Sequence, residues 1–329
     1  MEREINITKE RLITPEEKGL VKFLAFDSVK VKLVSNSKNT IDFCTDYFQS
    51  YAQFDDQNTQ KCDWTVIDNV SEITVRPFWN VDEKNKEINV TSKDHDSRFA
   101  MRVLRSLVML EDISHGMVMF KGASFINRNG NGIVLMGDKR VGKTSIILSY
   151  VLKNDPQARF ITNSHVALNF ESGRPCAHGY PMSMGIRLGV LESMQRRGNN
   201  NIDPLIYHLK NNMDPGESNR YYLDPNILRE YFQNRIIGKA LVNSIILIKS
   251  IPSYSSSTIK SMVVEDAVNL FQEYQLKYYN LNNSWYNLFT VDSDTQINSI
   301  KEILENINLY ELTYNVGSQM KTMELIDHI

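Results

Sequence analysis

The run Gly137-Asp138-Lys139-Arg140-Val141-Gly142-Lys143-Thr144 meets the pattern G-x-x-x-x-G-K-[ST] at every defined position. It constrains the fold more than any other stretch, because it demands a buried strand before it, a tight loop, and a helix after it. Ile133-Val134-Leu135-Met136 is a short apolar run of the kind a buried strand presents. Ser145 and the seven residues after it contain neither Gly nor Pro, as a helix requires. Gly137 and Gly142 let the backbone wrap so that N–H groups point inward at an anion. Lys143 is placed to reach a β- or γ-phosphate, and the Thr144 hydroxyl to ligate Mg²⁺. Ser145 opens a helix whose N-terminus also favours phosphate. Lys139 and Arg140 fill positions the pattern leaves free, where their charge attracts an anionic ligand.

Composition removes several function classes. With 37 Lys and Arg against 39 Asp and Glu, the chain has no basic surplus for nucleic acid or anionic lipid. No stretch reaches the roughly 18 consecutive apolar residues of a membrane span. Met1-Glu2-Arg3-Glu4-Ile5-Asn6 lacks the apolar core of a secretory leader, so the expected setting is cytoplasmic. Cys44, Cys62 and Cys176 are odd in number and far apart, which makes neither a disulfide framework nor a metal signature. No His/Glu cluster has metal-ligand spacing either. Nothing in the chain sets an oligomeric state, and a homo-oligomer is compatible with it.

The expected architecture is α/β, with a P-loop domain built on a mixed, partly antiparallel sheet. A mixed α/β N-terminal region covers 1–95, the nucleotide-binding core covers 96–190, and a helix-rich α+β region covers 191–329, where an acceptor or partner site would sit. Strands are expected at 22–26, 29–34, 64–67, 73–75 and 87–90, with a helix at 41–51. The first strong helix is 97–112. Phe99, Val103, Leu104, Leu107, Val108 and Leu110 form its apolar face, and Arg98, Arg102 and Arg105 its solvated one.

Residues 117–126 read as a strand interrupted at Gly122. Asn129-Gly130 is a strong hairpin signal, which makes the strand feeding the loop antiparallel to its predecessor. Its other neighbour is expected to include 159–163. Strands 159–162 and 166–170 follow across a bend, with a turn at 171–174. Further helices are expected at 203–212, 225–234, 257–277 and 294–307, and strands at 244–248 and 312–315.

A phosphoryl-transfer site normally adds a carboxylate at the end of a second strand. Ser244-Ile245-Ile246-Leu247-Ile248 ends in Lys249-Ser250, and Glu265-Asp266 falls within an expected helix. The natural place, Phe160-Ile161-Thr162-Asn163-Ser164, carries no acid.

The stretch 114–190 resembles the catalytic domain of the HPr kinase/phosphorylase superfamily and its kinase-like relatives. The resemblance is carried by His115-Gly116-Met117-Val118, Lys121-Gly122-Ala123-Ser124, the Asn129-Gly130 turn, the P-loop, Phe160 through Leu168, and Gly179-Tyr180-Pro181. It implies ATP and Mg²⁺, with transfer to a hydroxyl on a peptide, a carrier protein or a small metabolite. It also implies an acidic residue for proton transfer where this chain has Asn163 and Ser164, neither of which is a useful base near neutral pH. His115, His165 and Glu171 are nearby substitutes in sequence, and His165 has the intrinsic pKa for acid–base work. Arg187 is a planar cation suited to phosphate. The alternative is a nucleotide-binding module that holds or regulates a partner without transfer. A GTPase switch is disfavoured, since no Asn/Thr-Lys-x-Asp motif follows the loop.

Overall fold

The computed structural model describes residues 20–55, 61–71, 77–93, 97–152, 155–216, 219–250, 256–275, 293–315 and 318–329. The expected strand at 73–75 lies outside these. The chain divides into two compact units, one of residues 1–46 and 53–106, the other of 47–52 and 107–329.

The first unit contains β1 (Leu20–Ala25), β2 (Lys30–Ser35), most of α1 (Lys38–Phe48), β3 (Gln53–Asp55), β4 (Trp64–Ser71), β5 (Phe78–Asp82), β6 (Glu87–Lys93) and the first half of α2 (Ser97–Ser114). Its strands form one mixed sheet in the order β3-β1-β2-β4-β6-β5. β2, β4 and β6 run parallel, and the outer pairs are antiparallel. Parallel strands are normally buried on both faces, and Val31, Leu33, Val66, Ile88 and Val90 are fully buried. On α2, Arg98 and Arg102 are exposed and Arg105 half-buried, opposite the buried Val103, Leu104 and Leu107.

The second unit continues with β7 (Val118–Ile126), β8 (Gly132–Met136), α3 (Lys143–Val151), β9 (Arg159–Thr162), β10 (His165–Glu171), β11 (Arg174–Gly179) and β12 (Met184–Ile186). Then come α4 (Leu188–Gln195), α5 (Asp203–Asn212), β13 (Tyr221–Leu223), α6 (Pro225–Tyr231), β14 (Lys239–Leu241), β15 (Ser244–Ser250) and β16 (Thr258–Ser261). α7 (Val264–Tyr274), α8 (Ser293–Glu305), β17 (Asn308–Tyr314) and α9 (Gln319–Asp327) complete it. The main sheet runs β14-β11-β10-β7-β8-β15-β17-β16, with β9 added along β7. The architecture is therefore mixed α/β, and strands from both the P-loop stretch and the C-terminal region share this sheet.

β7 and β8 form the expected hairpin, from Gly122 opposite Met136 to Ile126 opposite Gly132. The turn closes through Asn127 N–H to the Asn131 carbonyl at 2.9 Å. β8 is not flanked by 159–163. Its second neighbour is β15, parallel, with Val134 opposite Ile245, while β9 pairs with the far edge of β7. The reason is burial. β8 is fully buried along its whole length, so it needs an apolar partner on its free edge, and β15 supplies one. Alternate residues of β8 and β15 feed two cores. Ile133, Leu135, Ile246 and Ile248 pack with α3, while Val134, Met136, Ile245 and Leu247 pack with Phe271, Ile300 and Ile303 of α7 and α8.

Two further expectations are corrected. Gly122 does not interrupt β7; the irregularity falls between Ser124 and Phe125, in the pairing with β9. The single helix expected over 257–277 is a strand, β16, followed by the shorter α7. The residues of β16 pair antiparallel with β17, so tertiary pairing overrides a weak helical pattern. Glu265 and Asp266 then lie in the first turn of α7, where acidic residues suit the helix dipole.

Candidate functional site

The loop from 137 to 142 is built on unusual backbone. Gly137, Arg140 and Gly142 all have positive φ, at 137°, 75° and 108°. A side chain at Gly142 would place Cβ 2.2 Å from the Tyr314 ring, and one at Gly137 would place it 2.6 Å from the Ile248 carbonyl oxygen. Both glycines are thus required by conformation and by close approach. Arg140 holds a left-handed conformation that is uncommon for a residue with a side chain. Gly142 is also the N-cap of α3 and offers no side-chain hydrogen bond there. The first-turn N–H groups of this nine-residue helix, which is buried from Ile146 to Val151, are therefore left without a side-chain cap.

Two cations converge on this loop. The Lys143 ammonium folds back and donates to the carbonyls of Gly137 at 2.7 Å and Asp138 at 2.8 Å. Burial, with the Lys121 ammonium as the next contributor, pulls its pKa down to about 8; Asp138 opposes the shift. Lys121 stands on the exposed side of β7 opposite His165 of β10. The Asp138 side chain is hydrogen-bonded by Tyr274 of α7.

The bend between β9 and β10 reaches the loop because β7 carries both neighbours. β10 pairs with its first half and β9 with its second. Gly122, between them, faces Met136 on one side and donates its N–H to the Ser164 carbonyl at 3.3 Å on the other. Thr162 Oγ1 donates to the His165 carbonyl at 2.8 Å and tightens the bend. The Asn163-Ser164 bend therefore lies across one strand from the start of the loop. Thr144 Oγ1 donates to Asn163 Oδ1 at 3.1 Å.

Of the sequence candidates, Asn163 meets Thr144 directly. Ser164 contributes its backbone carbonyl to Gly122 and is half-buried. His165 places Nδ1 2.8 Å from Met182 Sδ. His115 is exposed at the end of α2, beside Glu111. Glu171 lies at the opposite end of β10 from the bend and is bound to Lys239. Arg187 caps α4 and lines a cleft of about 600 Å³ together with Ser145, Arg196, Tyr221, Tyr314 and Gln319. Among the described residues Arg187 has no ion-pair partner.

Lys121 entered the sequence analysis only within the run 121–124 and not as a site residue, and the wedge of Tyr314 against Gly142 escaped it. Lys121 is legible only as a charge before a glycine; Tyr314 comes from a strand more than 170 positions away.

No family model matches the chain, and no curated protein matches it in sequence. A solved structure, that of the Hpr(Ser) kinase/phosphatase from Coxiella burnetii, is similar at a TM-score of 0.33 and 7% identity, over 64% of this chain and 94% of that chain. A likeness at that level carries no functional weight.

Proposed function

We propose that this chain binds a nucleoside triphosphate, ATP, with Mg²⁺ at residues 137–145 and transfers its terminal phosphoryl group to a hydroxyl on a peptide, a protein or a small metabolite. The observation that carries this is the convergence of a glycine-bent loop, an open helix N-terminus, Lys143 and Lys121 on one place. An anion with several charges is what such a place stabilises.

The donor set also suits Mg²⁺. Thr144 Oγ1 and Asn163 Oδ1 are hard oxygens within 3.1 Å of one another, and Mg²⁺ takes few protein ligands while keeping its waters. When bound, the ion neutralises charge on the phosphates. Lys143, now on the Gly137 and Asp138 carbonyls, would exchange them for the β- and γ-phosphates. Loop N–H groups and the α3 N-terminus hold the remaining oxygens in position for in-line attack. The acceptor enters by the cleft beside Ser145, where Arg187 orients it. His165, beside Met182, is the residue assigned to take the hydroxyl proton as ADP leaves.

A second reading rests on Asn163, an amide that orients Thr144 but accepts no proton near neutral pH. On that reading the chain binds nucleotide and regulates a partner. Incubation with γ-labelled ATP and Mg²⁺, with and without cell extract, separates the two. A species gaining one phosphoryl group supports transfer. Tight nucleotide binding without labelling leaves the regulatory reading, and absence of binding removes both.

A further inference from the structure

We infer that Glu171, Cys176 and His178 form a binding site for a zinc-class transition-metal ion, on the strand pair β10–β11 and independent of the nucleotide loop. Their ligand atoms, one from each residue, all lie within 4.8 Å of one another.

Strand register is what assembles them. Asn169 stands opposite Cys176, Glu171 opposite Arg174, and Ala167 opposite His178. Alternation then puts Asn169 and Glu171 from β10 on the same face as Cys176 and His178 from β11. Leu168 and Ala177, which alternate with them, belong to the apolar core on the opposite face. β7 and β14 pair with the outer edges of the two strands, so the backbones that carry the donors are held from both sides. Cys176 and His178 are buried, while Glu171 is one-third exposed and marks the side from which an ion enters.

The donor chemistry selects the ion. Mg²⁺ and Ca²⁺ take oxygen ligands, whereas thiolate, imidazole and carboxylate together suit zinc and its neighbours. Zinc bonds of about 2.0–2.3 Å in a tetrahedral arrangement need donor atoms about 3.3–3.8 Å apart. His178 Nε2 is already 3.6 Å from Glu171 Oε1. It is also 2.9 Å from Asn169 Oδ1, an oxygen placed as a fourth ligand or an outer partner. Side-chain rotation of about 1 Å closes the rest. On binding, the Cys176 thiol releases its proton to solvent, His178 carries its remaining proton on Nδ1, and Glu171 binds as the carboxylate. Lys239, opposite His178 on β14, donates to Glu171 Oε1 at 2.7 Å. Its exposed ammonium competes with the ion for that oxygen and swings away when the ion binds.

The test is cobalt titration of the whole chain, freed of metal by a chelator and without nucleotide. Co²⁺ should bind at one equivalent with an intense thiolate-to-cobalt charge-transfer band, and Zn²⁺ should displace it. Cys176→Ser should remove the band, while Cys62→Ser keeps it. Glu171→Gln, at a partly exposed position, should weaken cobalt binding at least tenfold, and Lys239→Ala should strengthen it several-fold. The inference is overturned by folded wild-type protein that shows no thiolate band. A band that survives Cys176→Ser overturns it equally, as does unchanged cobalt affinity in Glu171→Gln, which keeps the test decisive should Cys176→Ser fail to fold.

Discussion

A buried carboxylate in the first unit and a half-buried lysine in the second meet their polar needs in opposite ways. In the first, Asp68 is fully buried on β4 and accepts from Ser35 Oγ at 3.1 Å and Ser92 Oγ at 2.8 Å, on the two strands beside it. Burial raises its pKa, and the Ser92, Ser35 and Thr40 hydroxyls hold it back. Such a network closes on itself, with donors supplied by neighbouring strands, and calls for no ligand. In the second unit, Lys143 finds its partners among the described residues in carbonyls of its own loop, in a backbone with three positive φ angles within six residues. Those bonds are ones a phosphate can replace. The contrast teaches that burial alone does not mark a site. What marks it is a polar group whose present partners are exchangeable, set in backbone that the local sequence would not otherwise adopt.

The sharpest way to break this contrast is Lys143→Ala. The variant should lose at least about 100-fold in ATP affinity by calorimetry, roughly 2.7 kcal/mol. Its melting temperature should stay near that of the wild type, because the lost bonds hold a lysine whose charge burial already penalises. Equal affinity in both proteins would mean that the loop is architecture, like the Asp68 network.

Gly142→Ala tests the backbone side of the argument. A Cβ there meets the Tyr314 ring at 2.2 Å and forces a side chain into φ of 108°. Chemical denaturation should show a loss of about 2–3 kcal/mol. A variant as stable as the wild type would show that the loop relaxes freely and stores no fixed conformation.

The pH dependence of binding follows from Lys143. The charged form binds phosphate, and the free protein loses that charge as pH rises through about 8. Affinity should be full below about 8 and fall by up to about tenfold per pH unit above it, until the phosphate-bound lysine also deprotonates. The same lowered pKa predicts the opposite sign for stability of the free protein. The unfolded chain holds its proton to higher pH, so stability rises from about 8 toward the ordinary lysine value. Lys143→Met should flatten both curves; a sloping affinity curve in that variant would assign the titration to another group.

The smallest effect is expected at Asp68. Its folded pKa lies above the unfolded value, so its contribution is full below the unfolded carboxylate value and is lost as pH rises through the folded one. Asp68→Asn should remove that loss between acidic and neutral pH, measured by urea denaturation. A wild-type curve that rises over the same window would show that the Ser35 and Ser92 bonds outweigh burial.

The sequence by itself determined the local units of this protein. The G-x-x-x-x-G-K-T run, the apolar 133–136 stretch before it and the Asn-Gly turn specify strand, loop, helix and hairpin through effects that act within a few residues: glycine conformation, turn type and apolar periodicity. Most strands, such as β2, β4, β9 and β10, and helices such as α5 and α8 were legible for the same reason. The tertiary structure decided what needs partners distant along the chain. β15 rather than β9 became the second neighbour of β8, because edge pairing is settled by which apolar strand covers a fully buried one. Residues 258–261 became a strand because β17 offered an edge. Asn163 came to Thr144 only because β7 is long enough to hold β10 and β9 in succession. Glu171, Cys176 and His178 form no spacing a motif can register, yet antiparallel register sets them on one face. Local sequence encodes torsions and periodicity; which strands meet, and in what register, is decided by the burial that the whole chain can achieve.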